Sequence, residues 1–312
     1  MTPRIGYLLP TRESVMEGRP EAKPLLELAE RAEALGYDSV WVGDSLLARP
    51  RHEPITLLAG VAGRTRRVEL GTAVLLPALR NPVVLAHQVA TLDQVAEGRV
   101  ILGVGIATDV PNIRDEFEAA GVPFDKRVGR MLEGLRLCRA LWKGDSVDWN
   151  GRWTVKKGVL GPTPYRPGGP PIWIGGAAEA SVERVGREFD GWFPNGPAPE
   201  KVADMWSRMQ AVARDHGRDP SAMTAATYLT VAIDDDAARA DRVIDDFLER
   251  YYGQPAALMR KRQPSYGGPI EGARDWLRSY AAVGVGHFVL RFAGDHERHL
   301  ELLAGIGAEL GR

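Results

Sequence analysis

A single cysteine, Cys138, serves all 312 residues. That excludes an internal disulfide and suits a reducing compartment. It lies in MLEGLRLCRALW, where Met131, Leu135, Cys138 and Trp142 share one helical face, so it is read as a buried structural thiol and not a reactive one. Long apolar runs are missing too. None approaches the ~20 residues that cross a bilayer, and MTPRIGYLLPTRES holds too short an apolar segment for a secretory signal, so a cytoplasmic protein without a membrane partner is expected. Nor is there an excess of charge: 40 Lys and Arg stand against 41 Asp and Glu, a net charge of −1. Such a balance provides no field to recruit nucleic acid. GxSxG, HExxH, P-loop and paired-cysteine motifs are all absent. His296 and His299 have HxxH spacing, but in a charged segment that reads as a solvated helix face, and His87 reads as a packing residue. No metal is expected, and the demanding chemistry is expected to belong to a bound organic cofactor.

What is present is a rhythm. Short β-type runs occur at 4–9, 38–43, 68–75, 99–105, 171–176, 191–195, 224–233 and 287–292, with helical periodicity between them. In PLLELAERAEALG, Leu25, Leu28, Ala29, Ala32 and Leu35 line one face, and Gly36 stops the helix. Asn81-Pro82 opens another with a cap residue and a first-turn proline. Eight such units predict a single (β/α)₈ TIM barrel over 1–312, with a doubly wound open sheet as the competing fold. Two segments interrupt the rhythm. Residues 144–169 carry a hairpin signal at Asn150-Gly151. Residues 234–269 add a surplus helix and a Pro/Gly-containing stretch with Gly267-Gly268, expected as a mobile lid on the C-terminal rim.

In a barrel, chemistry sits where strands end. PPIWIGGAAEA (170–180) passes from an apolar run through Gly175-Gly176 straight into a helical pattern. A helix N-terminus with glycine before it admits an anion against the backbone; an ordinary tight turn is the alternative. The next strand leaves through Asn195-Gly196 on the same rim. GVG at 103–105 fails the G-x-G-x-x-G pattern because Thr108 holds the sixth position, so Gly105 is read as a strand end where a flat ligand passes close to backbone. Asp44, after WVG, either hydrogen-bonds or protonates a ligand, or caps a turn. Thr72-Ala73 offers a small-residue floor for something planar.

LGYDSVWVGDS (35–45), EPITLLAGVAGRTRRVELGTAVLL (53–76), RNPVVLAHQVATLDQVAEGRVILGVG (80–105), EFEAAGVPFDKRVGRMLEGLRLCRALW (116–142) and PPIWIGGAAEA together resemble the bacterial-luciferase-like superfamily over nearly the whole chain. The resemblance implies a barrel that binds FMN or, alternatively, the deazaflavin coenzyme F-420. It assigns Gly175, Gly176 and Ala177 to a phosphate-binding turn, and Thr72-Ala73 to a non-proline cis peptide under the ring. Gly105 and Asp44 fall beside the ring, and Asn195 on the neighbouring rim. Two departures are visible. Ser45 stands where members often carry histidine, and Ile106-Ala107-Thr108 follows GVG where Gly-Trp is common. The first reading is a monooxygenase using reduced FMN and O2 on a small organic substrate, fed by a separate flavin reductase. The alternative is an F-420-dependent reductase or dehydrogenase, for which Arg260, Lys261, Arg262 and Arg291 could face the acidic cofactor tail. A flavin-binding protein without turnover is the third. A homo-oligomer is expected.

Overall fold

Strand after strand, the chain alternates residues that face the barrel axis with residues that face the surrounding helices. In the computed structural model, which describes residues 2–311, these strands are β1 (Arg4–Leu8), β2 (Ser39–Val42), β3 (Glu69–Thr72) and β4 (Val100–Val104). A hairpin of β5 (Val147–Asn150) and β6 (Thr154–Gly158) precedes β7 (Ile172–Gly175), β8 (Gly191–Phe193), β9 (Thr224–Ile233), β10 (Ser265–Gly268) and β11 (His287–Phe292). Eight parallel strands run in the order β11-β1-β2-β3-β4-β7-β8-β9, and β9 closes the ring on β11. Closure makes this a (β/α)₈ barrel and excludes the open sheet. The extra strand β10 lies along the far end of β9, Ser265 opposite Thr230.

Register decides which residues face which way, because a slip of one residue would exchange the two faces. Tyr7 stands opposite both Leu290 and Val40, and all three join the layer between strands and helices. Their neighbours point inward, where Leu8, Trp41, Ile101, Trp173, Phe193, Ala226 and Val289 form a separate cluster. Two indoles inside one small barrel need space, and glycine supplies it. A Cβ on Gly6 or Gly71 would collide with Trp41, and one on Gly191 with Trp173. The rings of Trp41 and Trp173 lie 5.5 Å apart, with Phe193 5.0 Å from Trp41. Burying an indole removes roughly 150–250 Å² from water, on the order of 4–6 kcal/mol at ~25 cal/mol/Å².

Local signals set the helix boundaries. The Asn81 side chain accepts from the Val83 and Val84 N–H groups, with Pro82 in the first turn. The helix Ala22–Ala34 ends just before Gly36, which has φ +85°. The Cys138 thiol is buried, donates to the Pro82 carbonyl and is pushed up to about 12 by burial. Three histidines depart from their sequence reading. His87 is exposed on its helix. His299 is buried and accepts from the Ile233 N–H, and His296 hydrogen-bonds the Tyr7 hydroxyl at 2.8 Å. The helix His296–Leu302 packs them inward, where the Tyr7 hydroxyl and the Ile233 N–H need partners. No helix among the described residues is long and apolar enough to cross a membrane.

Two of the inward histidines make stability pH-dependent. Burial lowers His287, bonded to the Ser39 hydroxyl at 2.7 Å, to about 3. Burial, then the nearby His299, lowers His296 to about 4. Between those values and the ordinary 6.5 the unfolded chain binds protons that the folded chain refuses. Their contribution is therefore complete above pH ~6.5 and declines as pH falls toward 4 and 3, each by up to ~1.4 kcal/mol per pH unit. Urea midpoints measured from pH 7 to pH 5 should fall less steeply for His287→Asn than for the wild type. Identical slopes would show that His287 is not held neutral.

Candidate functional site

Above the indoles, at the C-terminal ends of the strands, lies a cavity of about 360 Å³. Leu8 and Phe193 rise from the barrel interior into its floor, joined by Ala73 and Val74. The peptide bond between Ala73 and Val74 is cis, one residue beyond the position expected from the sequence. Val74 sits between two strand ends. A Cβ on Gly105 would come 2.5 Å from its Cγ2, and one on Gly175 would come 3.3 Å from its Cγ1. Those two glycines are needed first for packing against Val74. Thr72 is not in the cavity wall: it is buried, and its hydroxyl donates to the Gly103 carbonyl at 2.8 Å. That bond ties β3 to β4 beneath the floor.

Gly176 is different. Its φ is +97°, which favours glycine, and a Cβ there would meet nothing nearer than Ser181 Oγ at 3.9 Å. It opens onto the cavity. The ten-residue helix that follows, Glu179–Glu188, has Ala178 as its cap and no side chain bonded to its first turn. The Ser181 N–H donates to the Ala178 carbonyl at 2.8 Å, which leaves the Glu179 and Ala180 N–H groups free to bind an anion, and the helix dipole favours one. The residues present suit the phosphate of a flavin-type cofactor on that ground. Ala177 is half-buried against the main core beside this turn, outside the cavity wall. Asn195 is in the wall, and its amide donates to the Arg262 carbonyl at 3.5 Å.

Asp44 reaches the wall, but its carboxylate is already engaged. The side chain is 1% exposed. Oδ2 accepts from Arg80 Nη1 at 2.5 Å and from the Leu76 N–H at 2.9 Å, and Oδ1 accepts from Arg80 Nη2 at 3.1 Å. Glu53 holds the same guanidinium from the other side at 3.2 Å. Asp44 therefore braces the segment that carries Val74. The acid with capacity to spare is Glu116, which the sequence reading did not single out. It is 1% exposed and lines the cavity. Its Oε1 accepts from the Ser45 hydroxyl at 2.6 Å and the Leu47 N–H at 2.7 Å, whereas its Oε2 is buried without a partner. The signal was present in helix Pro111–Ala119, where Glu116 shares the buried face of Ile113 and Phe117.

The segment 234–269 does reach this rim. Helix Ala237–Tyr252 ends with Tyr251 and Tyr252 in the cavity wall, and Gln263 follows from the next turn. Gly267-Gly268 is not a free hinge, because both residues belong to β10 and pair with Ala232 and Ile233. The cations expected to face a cofactor tail are also rearranged. Arg260 is bound to Asp241 and Asp245, and Arg291 is fully buried, bonded to the Thr230 and Tyr252 hydroxyls. Among the described residues no group of three or more His, Cys, Asp and Glu side chains is placed to hold a metal.

With this geometry established, comparison with known proteins is informative. The family model described as luciferase-like monooxygenase matches residues 3–311. A phthiodiolone/phenolphthiodiolone dimycocerosates ketoreductase from Mycobacterium sp. (strain JLS) is 32% identical, over 79% of this chain and 72% of its own. An F420-dependent glucose-6-phosphate dehydrogenase from Mycobacterium avium (strain 104) is 31% identical, over 90% of this chain and 91% of its own. A solved F420-dependent secondary alcohol dehydrogenase, in complex with an F420-acetone adduct, superposes with a TM-score of 0.83. It is 21% identical and covers 98% of both chains, a likeness of fold.

The Asp44–Arg80 brace makes a measurable demand. Removing one member of a buried ion pair leaves the other charge uncompensated, at a cost of roughly 3–5 kcal/mol. Asp44→Ala should lower stability by about that amount, and a double-mutant cycle with Arg80→Ala should give a coupling energy of ~1 kcal/mol or more. Additive effects in urea denaturation would show that the two side chains act independently.

Proposed function

The chain belongs to the luciferase-like monooxygenase family, and on that premise we propose that it is an F-420-dependent dehydrogenase or reductase that interconverts an alcohol and a carbonyl. The first reading from sequence was an FMN monooxygenase; the relatives support the alternative better. The observation that carries the proposal is the full-length likeness to an F420-dependent dehydrogenase, 31% identical over 90% of this chain. The membership itself makes the protein an oxidoreductase of the flavin and deazaflavin type.

In this reading the Gly176 turn and the uncapped helix start hold the cofactor phosphate. Val74, pressed between Gly105 and Gly175, supports the ring from below. Bound there, a deazaflavin supplies a two-electron acceptor and donor of hydride and does not depend on oxygen. Tyr251, Tyr252 and Gln263 in the cavity wall help to keep water from the reacting atoms. Oxidation of an alcohol also releases the hydroxyl proton. Glu116 Oε2, buried and without a partner, takes that proton, and it returns the proton in the reverse direction. Ser45 and the N–H groups of Leu47 and Ala48 hold the other oxygen in place.

Fluorescence titration of the purified protein with F-420 and, separately, with FMN tests the proposal. F-420 should bind at least tenfold more tightly, and Gly176→Val should weaken it more than it lowers Tm. Glu116→Gln, which keeps an acceptor for Ser45, should bind F-420 normally and turn over at least tenfold more slowly, ~1.4 kcal/mol in the barrier. Preferential binding of FMN, with oxygen uptake in the presence of its reduced form, would restore the monooxygenase.

A further inference from the structure

The side of the mouth opposite the glycine turn gathers positive charge. Four arginines meet there around two tyrosines. The guanidinium carbons of Arg12 and Arg291 each lie 4.7 Å from the centre of the Tyr251 ring, and that of Arg51 lies 6.0 Å from it. Arg49 lies 5.1 Å from the centre of the Tyr252 ring. Stacking on aromatic faces stabilises a guanidinium but does not cancel its charge. Two other arginines of the rim are paired, Arg80 with Asp44 and Glu53 and Arg260 with Asp241 and Asp245. Among the described residues these four form no ion pair. The buried Glu13 feels the charges of Arg291, Arg51 and Arg12, but burial outweighs them and raises its pKa. Burial lowers the pKa of Arg12, and the charges of Arg51 and Arg49 push it the same way.

Hydrogen-bond capacity is left over as well. Arg12 Nη1 is buried without a partner. Arg51 uses its Nε on the Arg49 carbonyl at 3.1 Å and packs its Nη1 over Gly43, and both Arg49 and Arg51 line the cavity. Each guanidinium offers five donors in a flat fork matched to the oxygens of a carboxylate or phosphate. Arg291 is the exception, since its nitrogens are spent on Thr230 and Tyr252.

We propose that Arg49 and Arg51, backed by Arg12, form an oxyanion site that takes the carboxylate or phosphate end of the substrate. The assignment rests on reading this cavity as the redox site. The short helix Thr11–Met16 after β1 supplies Arg12 and the segment after β2 supplies Arg49 and Arg51, whereas the Gly176 turn follows β7, across the ring of strands. Cofactor phosphate and substrate anion are thereby held on opposite sides of the mouth, with the unpartnered oxygen of Glu116 in the wall of the same cavity. The substrate class that follows is an acidic alcohol or carbonyl compound, such as a hydroxy acid or a sugar phosphate.

Calorimetric titration with inorganic phosphate, and in parallel with acetate, tests the site without any cofactor. Wild-type protein and Gly176→Val should both bind phosphate or acetate. In the Gly176→Val background, which removes phosphate binding at the turn, Arg51→Gln and Arg49→Gln should weaken that binding at least tenfold. Arg49 makes no side-chain hydrogen bond among the described residues, so its variant carries the test if Arg51→Gln does not fold. Anion binding that is absent in the wild type, unchanged in both arginine variants, or abolished by Gly176→Val alone would overturn the assignment. So would a tenfold loss of F-420 affinity in Arg49→Gln, since the anion would then be the cofactor's own tail. Failure of F-420 to bind, with arginine-dependent phosphate binding intact, would instead remove the dehydrogenase reading and leave the oxyanion site standing.

Discussion

The barrel's interior admits Trp41 and Trp173 because the facing strands present Gly6, Gly71 and Gly191 to them, and the rest of the site depends on that fit. Close packing requires large side chains to be met by small ones, and here the small partners are glycines that cannot be enlarged without displacing a ring. The two indoles and Phe193 fill the interior below, so the space above them is a cavity with a floor and not a channel. Phe193 belongs to both, packed against Trp41 from one side and exposed to the cavity from the other.

A second layer of constraint follows at the strand ends. Val74 occupies the gap between Gly105 and Gly175, and the segment that carries it is held by Asp44 through Arg80 and the Leu76 N–H. A buried ion pair contributes little net stability over apolar packing, but it fixes geometry because breaking it is costly. Here it fixes the surface on which a planar cofactor would rest. Gly176 is outside this packing, open to the cavity, and a helix start without a cap lies behind it. The division is physical: Gly105 and Gly175 pack against Val74, and Gly176 faces open space in the cavity.

The fold was legible because each of its signals is local. Strand runs, the Asn81-Pro82 helix start and the Gly36 stop each depend on a few adjacent residues, and their repetition eight times over specifies the barrel. The same holds for the abrupt change at Gly175-Gly176. What the sequence could not show were pairings across long separations. Nothing near Asp44 in the chain announces Arg80 as its partner, so an occupied brace resembled a free acid. Glu116 lay hidden in a helix whose buried face is otherwise apolar. Arg291 looked like a rim cation, although strand alternation in β11 places it inward beside Val289 and His287. His296 and His299 looked solvated because the strand ends that they satisfy lie more than sixty residues away.

The central claim is that a deazaflavin binds across this mouth with its phosphate on the turn after β7. A crystal structure of the protein soaked with F-420 tests it most directly. Phosphate oxygens should lie within about 3 Å of backbone nitrogens at Gly176 and the start of the following helix, with the ring against Val74. A phosphate bound instead to Arg49 and Arg51, or a ring lying outside the cavity, would contradict it.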